Sequence, residues 1–403
     1  MTDVLIVGGG IGGSVLALAL GLRGWRVRIL EREPGPPRRL RPEILQGATL
    51  DALDRLGVGP RIRAEAALPI HGAILRRRGE PLFRIEESDF RAADFTPFST
   101  DPSATRALIL EAAVATGQVD LVRGAEVTNV VHYDKDSVGV SGLRAGEAFE
   151  QRGRLLIGDD GANSILRGKL GIPARLRLFP IEFITFCLPR PPELEPEIAR
   201  GWLNPDAFRT GLFGGLALPV PGDRIVGVLF AAVGVWEERY EGRPEPFWGD
   251  VAGLVPFVDA LRERLQFPDD FTRVRRTYGH VPTYVANGAA LLGDAAHPMS
   301  PVGGQGANAA VWDALALADV ADDALRADDL SARRLSAYDI RRRAANTRSL
   351  WFTRRAVTLV RLAHWLPNGG SLILSLIRLA GPERLLRLAA TAFRDPGAAT
   401  DER

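Results

Sequence analysis

Residues 3–32 read DVLIVGGGIGGSVLALALGLRGWRVRILER, and no other stretch limits the fold as strongly. Five glycines fall within positions 8–13, between two apolar runs. Val4–Val7 has the composition of a strand buried on both faces. Ser14–Leu22 is rich in Ala and Leu and reads as a helix, and Val27–Leu30 reads as a second strand that Glu31 ends. Gly8, Gly10 and Gly13 fill a G-x-G-x-x-G pattern. The first glycine permits the tight turn, the second lets a pyrophosphate approach the backbone, and the third lets helix and strand pack closely. The helix start offers free N–H groups and a positive dipole end to phosphate. A carboxylate at Glu31 can accept ribose hydroxyls. Strand, turn, helix, strand and acid in this order predict a dinucleotide site.

Length and composition bound the rest. A chain of 403 residues, 46% of them hydrophobic, is long enough for two domains with real cores. A single cysteine, Cys187, excludes a disulfide framework and argues against a thiolate metal cluster, which fits a reducing cytoplasm. The scattered histidines His71, His132, His280 and His364 suggest no metal either. A net charge of +2 does not point to nucleic acid, and no such partner is expected. No apolar run reaches the roughly 18 residues of a membrane span, and no signal peptide is visible. Lys135 and Lys169 are the only lysines, which limits any mechanism that needs one.

Two later segments have the same strand-then-turn form. Residues 155–167, LLIGDDGANSILR, run into Asp159, Asp160 and Gly161 and end on Arg167. Residues 291–308, LLGDAAHPMSPVGGQGAN, run into Gly293-Asp294, then an extended Pro298/Pro301 loop, then glycines that open a helix. That helix start would aim N–H groups at something anionic. His297 follows in GDAAHP and reads as a structural residue of a tight loop.

With the glycine turn, these segments resemble the class A flavin-dependent monooxygenases, the para-hydroxybenzoate hydroxylase-like family, over roughly residues 1–60, 100–172 and 275–345. The motifs are Gly8/Gly10/Gly13, Asp160-Gly161 and Gly293-Asp294. The resemblance implies FAD, with NADPH or NADH as a transient co-substrate and dioxygen as oxidant. It implies cofactor contacts at Gly8, Gly10, Ile11, Gly12 and Gly13, at Glu31 and Arg32, and at Arg41, with Arg39 an alternative. Further contacts are implied at Arg106, Asp160, Gly293 and Asp294, and at the helix start Gly304, Gly306, Ala307 and Asn308. Pro301 would present a carbonyl on the substrate side of the flavin, as the one catalytic position. The implied chemistry is oxygen transfer from a flavin C4a-hydroperoxide in a water-excluding site.

The expected fold is α/β. A Rossmann-like FAD-binding domain with a parallel sheet (1–70, 99–176, 278–345) carries an inserted substrate domain with an antiparallel sheet (71–98, 177–277). A C-terminal helical region (346–403) follows. Phe183, Phe213, Leu218 and Phe230 are candidate pocket residues, with Arg209 the nearest polar anchor. So few polar residues on these strands favour a bulky, mostly apolar aromatic or olefinic small molecule, hydroxylated or epoxidised. In the C-terminal region Phe352, Ala356, Leu359 and Ala363 share a stripe, and peripheral contact with membrane or a carrier through its basic helices stays open, as does monomer against homodimer. Two other chemistries use this scaffold: a reductase or dehydrogenase of isoprenoid-type substrates, and a flavin-dependent halogenase, which would need a well-placed lysine.

Overall fold

Two large sheets carry most of the chain, joined by a small third one. The computed structural model describes residues 2–35, 42–77, 79–132, 137–299 and 303–365, with scattered positions between 375 and 390. Arg39, Arg41 and Pro301, and nearly all of 366–403, lie outside the described residues.

The first sheet runs, in spatial order, Val285–Ala286, Ala289–Leu291, Glu147–Gly158, Thr2–Val7, Val27–Glu31 and Val119–Arg123. From Ala289–Leu291 to Val119–Arg123 every pairing is parallel. A hairpin, Ala125–His132 with Val138–Arg144, extends Glu147–Gly158 antiparallel. Leu5, Ile6, Leu156 and Ile157 are completely buried, as strands covered on both faces must be. The opening helix Ile11–Leu22 is buried from Gly12 to Gly21. It lies between the helices Pro102–Ala115 and Gln305–Arg326, so its apolar character all round matches a core helix. The chain leaves the first strand toward Val27–Glu31 on one side and later returns to Glu147–Gly158 on the other. The order therefore reverses beside Thr2–Val7, and a crevice opens past the carboxyl ends of these strands.

The second sheet runs Thr272–His280, Arg175–Pro189, Arg224–Ala232, Leu212–Val220, Ile198–Leu203, Gly72–Arg77, Glu80–Ile85. It is antiparallel as expected except at one pair, Ile198–Leu203 with Gly72–Arg77, which is parallel. More than a hundred residues separate those strands, long enough for the crossover that parallel pairing requires. Side chains alternate across the sheet. Ile184, Phe186, Leu212, Ile225 and Leu229 pack beneath the helices Pro244–Ala252 and Val258–Arg264. Phe179, Ile181 and Phe183 point the other way.

Two expected boundaries shift. The strand Thr272–His280 belongs to this second sheet, so positions 278–280 fall on its side. The helix Ala332–Trp365 runs uninterrupted through position 346. Of the expected stripe, Phe352 is half-buried, and the side chains of Ala356 and Ala363 lie outside the described residues. Leu350, Thr353 and Val357 are buried, whereas Leu359 is 44% exposed. The spacing was right for a helix, but its phase is set by what the helix covers, and the buried ends of the second sheet take Val357. Among the described residues, no helix is long and apolar enough to cross a membrane.

The small sheet, Glu43–Gln46, Pro97–Thr100 and Ala67–Pro69, joins the two units. Ile44 packs with Leu218 and Ile70 on the second sheet's side, while Leu45 enters the first unit's core.

Candidate active site

Three chain turns meet at the switch point. After Val7 the backbone turns at Gly8, whose φ of +102° suits only glycine; a Cβ there would lie 2.2 Å from the Asp159 carbonyl oxygen. Gly8 N–H donates to the Leu30 carbonyl, and Asp159 N–H donates to that of Val7. The Glu31 carboxylate accepts from Gly9 N–H at 2.9 Å and Glu33 N–H at 2.8 Å. Glu31 thus shapes the turn while keeping lone pairs for a further donor. Arg106, on the helix Pro102–Ala115, stands 3.9 Å from the same carboxylate, and its side chain is largely buried. Arg32, by contrast, is largely exposed beside Glu33.

The middle motif divides its labour. Asp160 accepts from Ser164 Oγ at 2.5 Å and from Leu166 N–H at 3.0 Å, so it starts the short helix Ile165–Lys169. Its neighbour Asp159, which the motif reading passed over, turns into the glycine turn and accepts from Gly13 N–H at 2.8 Å. A carboxylate directly preceding the aspartate-glycine pair was the available signal. Arg167 fastens this loop to the third turn through the carbonyls of Ala295 and Ala162.

In the third turn, Gly293 takes φ +56° and donates to Asp313 at 3.1 Å. Asp294 lies partly exposed at the crevice, 3.7 Å from Arg276. Asp313, fully buried on the long helix, also accepts from His297 Nε2 at 2.5 Å, Arg342 Nε at 2.8 Å and Asn346 at 3.1 Å. Burial alone would raise this carboxyl, yet His297 and Arg342 hold it well below the usual carboxylate range. The cluster is paired, hydrogen-bonded charge that ties the Gly293 turn to two helices. The structural reading of His297 matches this geometry. Its neighbour His280 is pushed down to about 4 by burial and by the charges of His297 and Arg343, so it is neutral near pH 7.

Gly304 caps the helix Gln305–Arg326 in the left-handed conformation, φ +64°, and as a glycine it offers no side-chain cap to the N–H groups behind it. Gly306 and Ala307 stand in that first turn. Through its side chain, Asn308 accepts from Gln46 N–H and Thr49 and donates to the carbonyls of Ile44 and Gly304. It stitches the small sheet to the helix, which leaves only its backbone for a cofactor. Beside it on the small sheet, Glu43 accepts from Thr100 at 2.9 Å, and burial pushes its carboxyl up to about 7.

Phe183, Phe213 and Phe230 meet on the sheet face away from the two covering helices, with ring centres 5.8 and 6.2 Å apart. Phe179, Phe208 and Tyr278 extend the cluster. Leu218 faces the same side but joins Ile44 and Ile70 instead. Arg209 stands apart from these residues, exposed in the turn before Leu212.

The features fit FAD. The opening helix begins on Gly10, which offers no side-chain cap, and its first N–H groups have no partner within the helix, although Gly13 N–H is taken by Asp159. Above them, a Cβ at Gly12 would strike Leu292, so only a bare backbone leaves room at this turn. Arg123, paired in register with Glu31 on the neighbouring strand, holds a buried Nη1 with no hydrogen-bond partner among the described residues. A cationic donor awaiting an acceptor beside the acid suits the nucleotide end of a dinucleotide. A hollow of about 470 Å³ lined by Thr2, Arg26, Arg28, Asp120 and Gln151 lies at the opposite, amino ends of these strands, away from all three turns.

Comparison with known proteins agrees. A family model described as FAD binding domain matches residues 1–353. The 6-methylpretetramide 4-monooxygenase of Streptomyces rimosus is 29% identical over 354 residues, covering 86% of this chain and 82% of that protein. The ubiquinone hydroxylase UbiL of Rhodospirillum rubrum is 30% identical over 383 residues, covering 89% and 82%. Among solved structures, Pseudomonas aeruginosa PqsL in complex with 2-aminobenzoylacetate has a TM-score of 0.73 at 25% identity, covering 92% of this chain and 99% of that one. The chain belongs to the FAD binding domain family and is an FAD-dependent monooxygenase of the para-hydroxybenzoate hydroxylase-like class.

Proposed function

We propose that this monooxygenase consumes NAD(P)H and dioxygen to hydroxylate or epoxidise a bulky, mostly apolar aromatic or olefinic small molecule. The carrying observation is the run of buried aromatic rings on the face of the second sheet opposite the helices Pro244–Ala252 and Val258–Arg264. Relatives named for 6-methylpretetramide and for ubiquinone support the same direction.

Bound FAD supplies the redox chemistry, taking electrons from the nicotinamide and activating dioxygen. The chain's own residues do the rest. Gly8–Gly13 and the opening helix receive the diphosphate, Glu31 the adenosine ribose, and Asp294 the ribitol hydroxyls. The start of Gln305–Arg326 would offer backbone N–H groups and a positive dipole end to the flavin ring, favouring its electron-rich form. Arg41 and Pro301 remain in the reading as a cofactor contact and a substrate-side carbonyl. The aromatic face excludes water and orients the substrate by shape.

Labelled dioxygen tests this reading. With NADPH or NADH and a panel of phenols, polycyclic aromatics and olefins, one labelled oxygen atom should enter a bulky product. Reduction of the substrate without label would favour the isoprenoid-type reductase instead. Tighter binding of small benzoates than of polycyclic ligands, read from flavin spectral shifts, would overturn the substrate class.

A further inference from the structure

Asp159 brings a carboxyl group into a chamber made of missing side chains. A Cβ on Gly10 would lie 2.6 Å from its Oδ2, one on Gly13 2.9 Å from the same atom, and one on Gly12 3.2 Å from Oδ1. A Cβ on Gly293, from the third turn, would lie 3.4 Å from Oδ1. The carboxyl therefore sits where the first and third turns meet, already bonded to Gly13 N–H on the helix whose start receives the diphosphate.

The charges facing it are mostly of its own sign. Asp160 stands on its own loop, Asp294 on the Gly293–Ala295 turn and Glu31 at the end of the second strand. The cations on adjoining elements are engaged with these acids rather than with Asp159. Arg106 of Pro102–Ala115 faces Glu31, and Arg276 of Thr272–His280 faces Asp294. Arg167 bonds carbonyls, and Asp313 of the long helix is bonded by His297 and Arg342. The opening helix contributes only its N–H groups. Burial, opposed by the Gly13 hydrogen bond and reinforced by the neighbouring acids, holds the Asp159 carboxyl well above its ordinary range. A diphosphate adds two more negative charges.

We propose that Asp159 enters the FAD complex as a neutral carboxylic acid whose O–H donates to a diphosphate oxygen, so that FAD binding takes up a proton. This rests on the FAD site assigned above. The linkage has a definite sign. FAD raises the carboxyl's proton affinity further, so FAD affinity is constant at low pH. It falls by up to tenfold per pH unit once the pH exceeds the pKa of the apoprotein.

The experiment strips the flavin and titrates the apoprotein with FAD between pH 6 and 9, reading flavin fluorescence. Wild-type affinity should fall as the pH rises, approaching tenfold per unit above the apoprotein's pKa, and Asp159→Asn, always neutral and still a donor, should vary by less than twofold. Calorimetry of wild type in two buffers of different ionisation enthalpy should show uptake of up to one proton per FAD. That measurement decides the matter even if the variant fails to fold, because zero uptake overturns the proposal. A wild-type affinity independent of pH, or an equal slope in Asp159→Asn, overturns it as well. Absence of FAD binding at every pH would instead overturn the cofactor site itself, and the proposal with it.

Discussion

The two sheets solve opposite problems. The parallel sheet presents backbone to its ligand, so at its switch point side chains are in the way and glycines remove them. The mixed sheet presents side chains, and its exposed backbone is spent on ladder hydrogen bonds. A backbone site depends on a few positions where any added atom collides. A side-chain site tolerates exchange as long as shape and volume persist. Substitutions in the two regions should therefore fail in different ways, and each test below probes that difference.

The largest effect belongs to Gly8→Ala. The new methyl would meet the Asp159 carbonyl and force a β-carbon into φ +102°. Purified protein is expected colourless, with no flavin retained after incubation with excess FAD. A yellow variant of normal affinity would show that the turn can relax, and the contrast between the sheets would weaken.

Next is Asp313→Ala. It would strand Arg342 and His297 in the interior and free the Gly293 turn. Breaking a buried ion pair from one side costs about 3–5 kcal/mol. Thermal melting should fall by many degrees in both the FAD-free and FAD-bound protein. A loss confined to the bound form would make the cluster a cofactor device rather than a support.

Phe230→Ala tests the other sheet. Phe230 is partly exposed at the edge of the ring cluster, so the cost in stability should stay near or below the 3–5 kcal/mol typical of a fully buried Phe. FAD affinity should be unchanged while the substrate's KM rises. Equal losses of flavin and substrate affinity would mean that this face braces the cofactor and does not select the substrate.

This contrast also explains what the sequence revealed. Gly8, Gly10 and Gly13 were legible because collision fixes their spacing along the chain, Gly293 because of its left-handed backbone, and Glu31 because its carboxylate closes the same turn. Asp159 was overlooked because the motif draws attention to Asp160, and only the three-dimensional path shows which of two adjacent acids turns toward the glycines. The bonds by which the Asn308 side chain ties residues 44–49 to the long helix were not legible, because those partners lie more than 250 positions away. The aromatic face was legible only as a list of apolar residues. Alternation says which share a face, but not which face the helices Pro244–Ala252 and Val258–Arg264 will cover.

The smallest expected effect lies on the small sheet that joins the units. Glu43 titrates near 7 in the fold and near 4.5 as an ordinary carboxyl, so the folded state holds its proton more tightly than the unfolded chain. Its favourable contribution is complete below about pH 4.5 and is lost as the pH rises through about 7. Glu43→Gln keeps the size and an acceptor for Thr100 while removing the charge. It should leave melting unchanged near pH 5 and raise it by a few degrees at pH 8. An equal shift at both pH values would assign the gain to packing. A decrease at pH 8 would mean that ionised Glu43 is held by a cation, and the small sheet would then belong with the charged switch point rather than with the aromatic face.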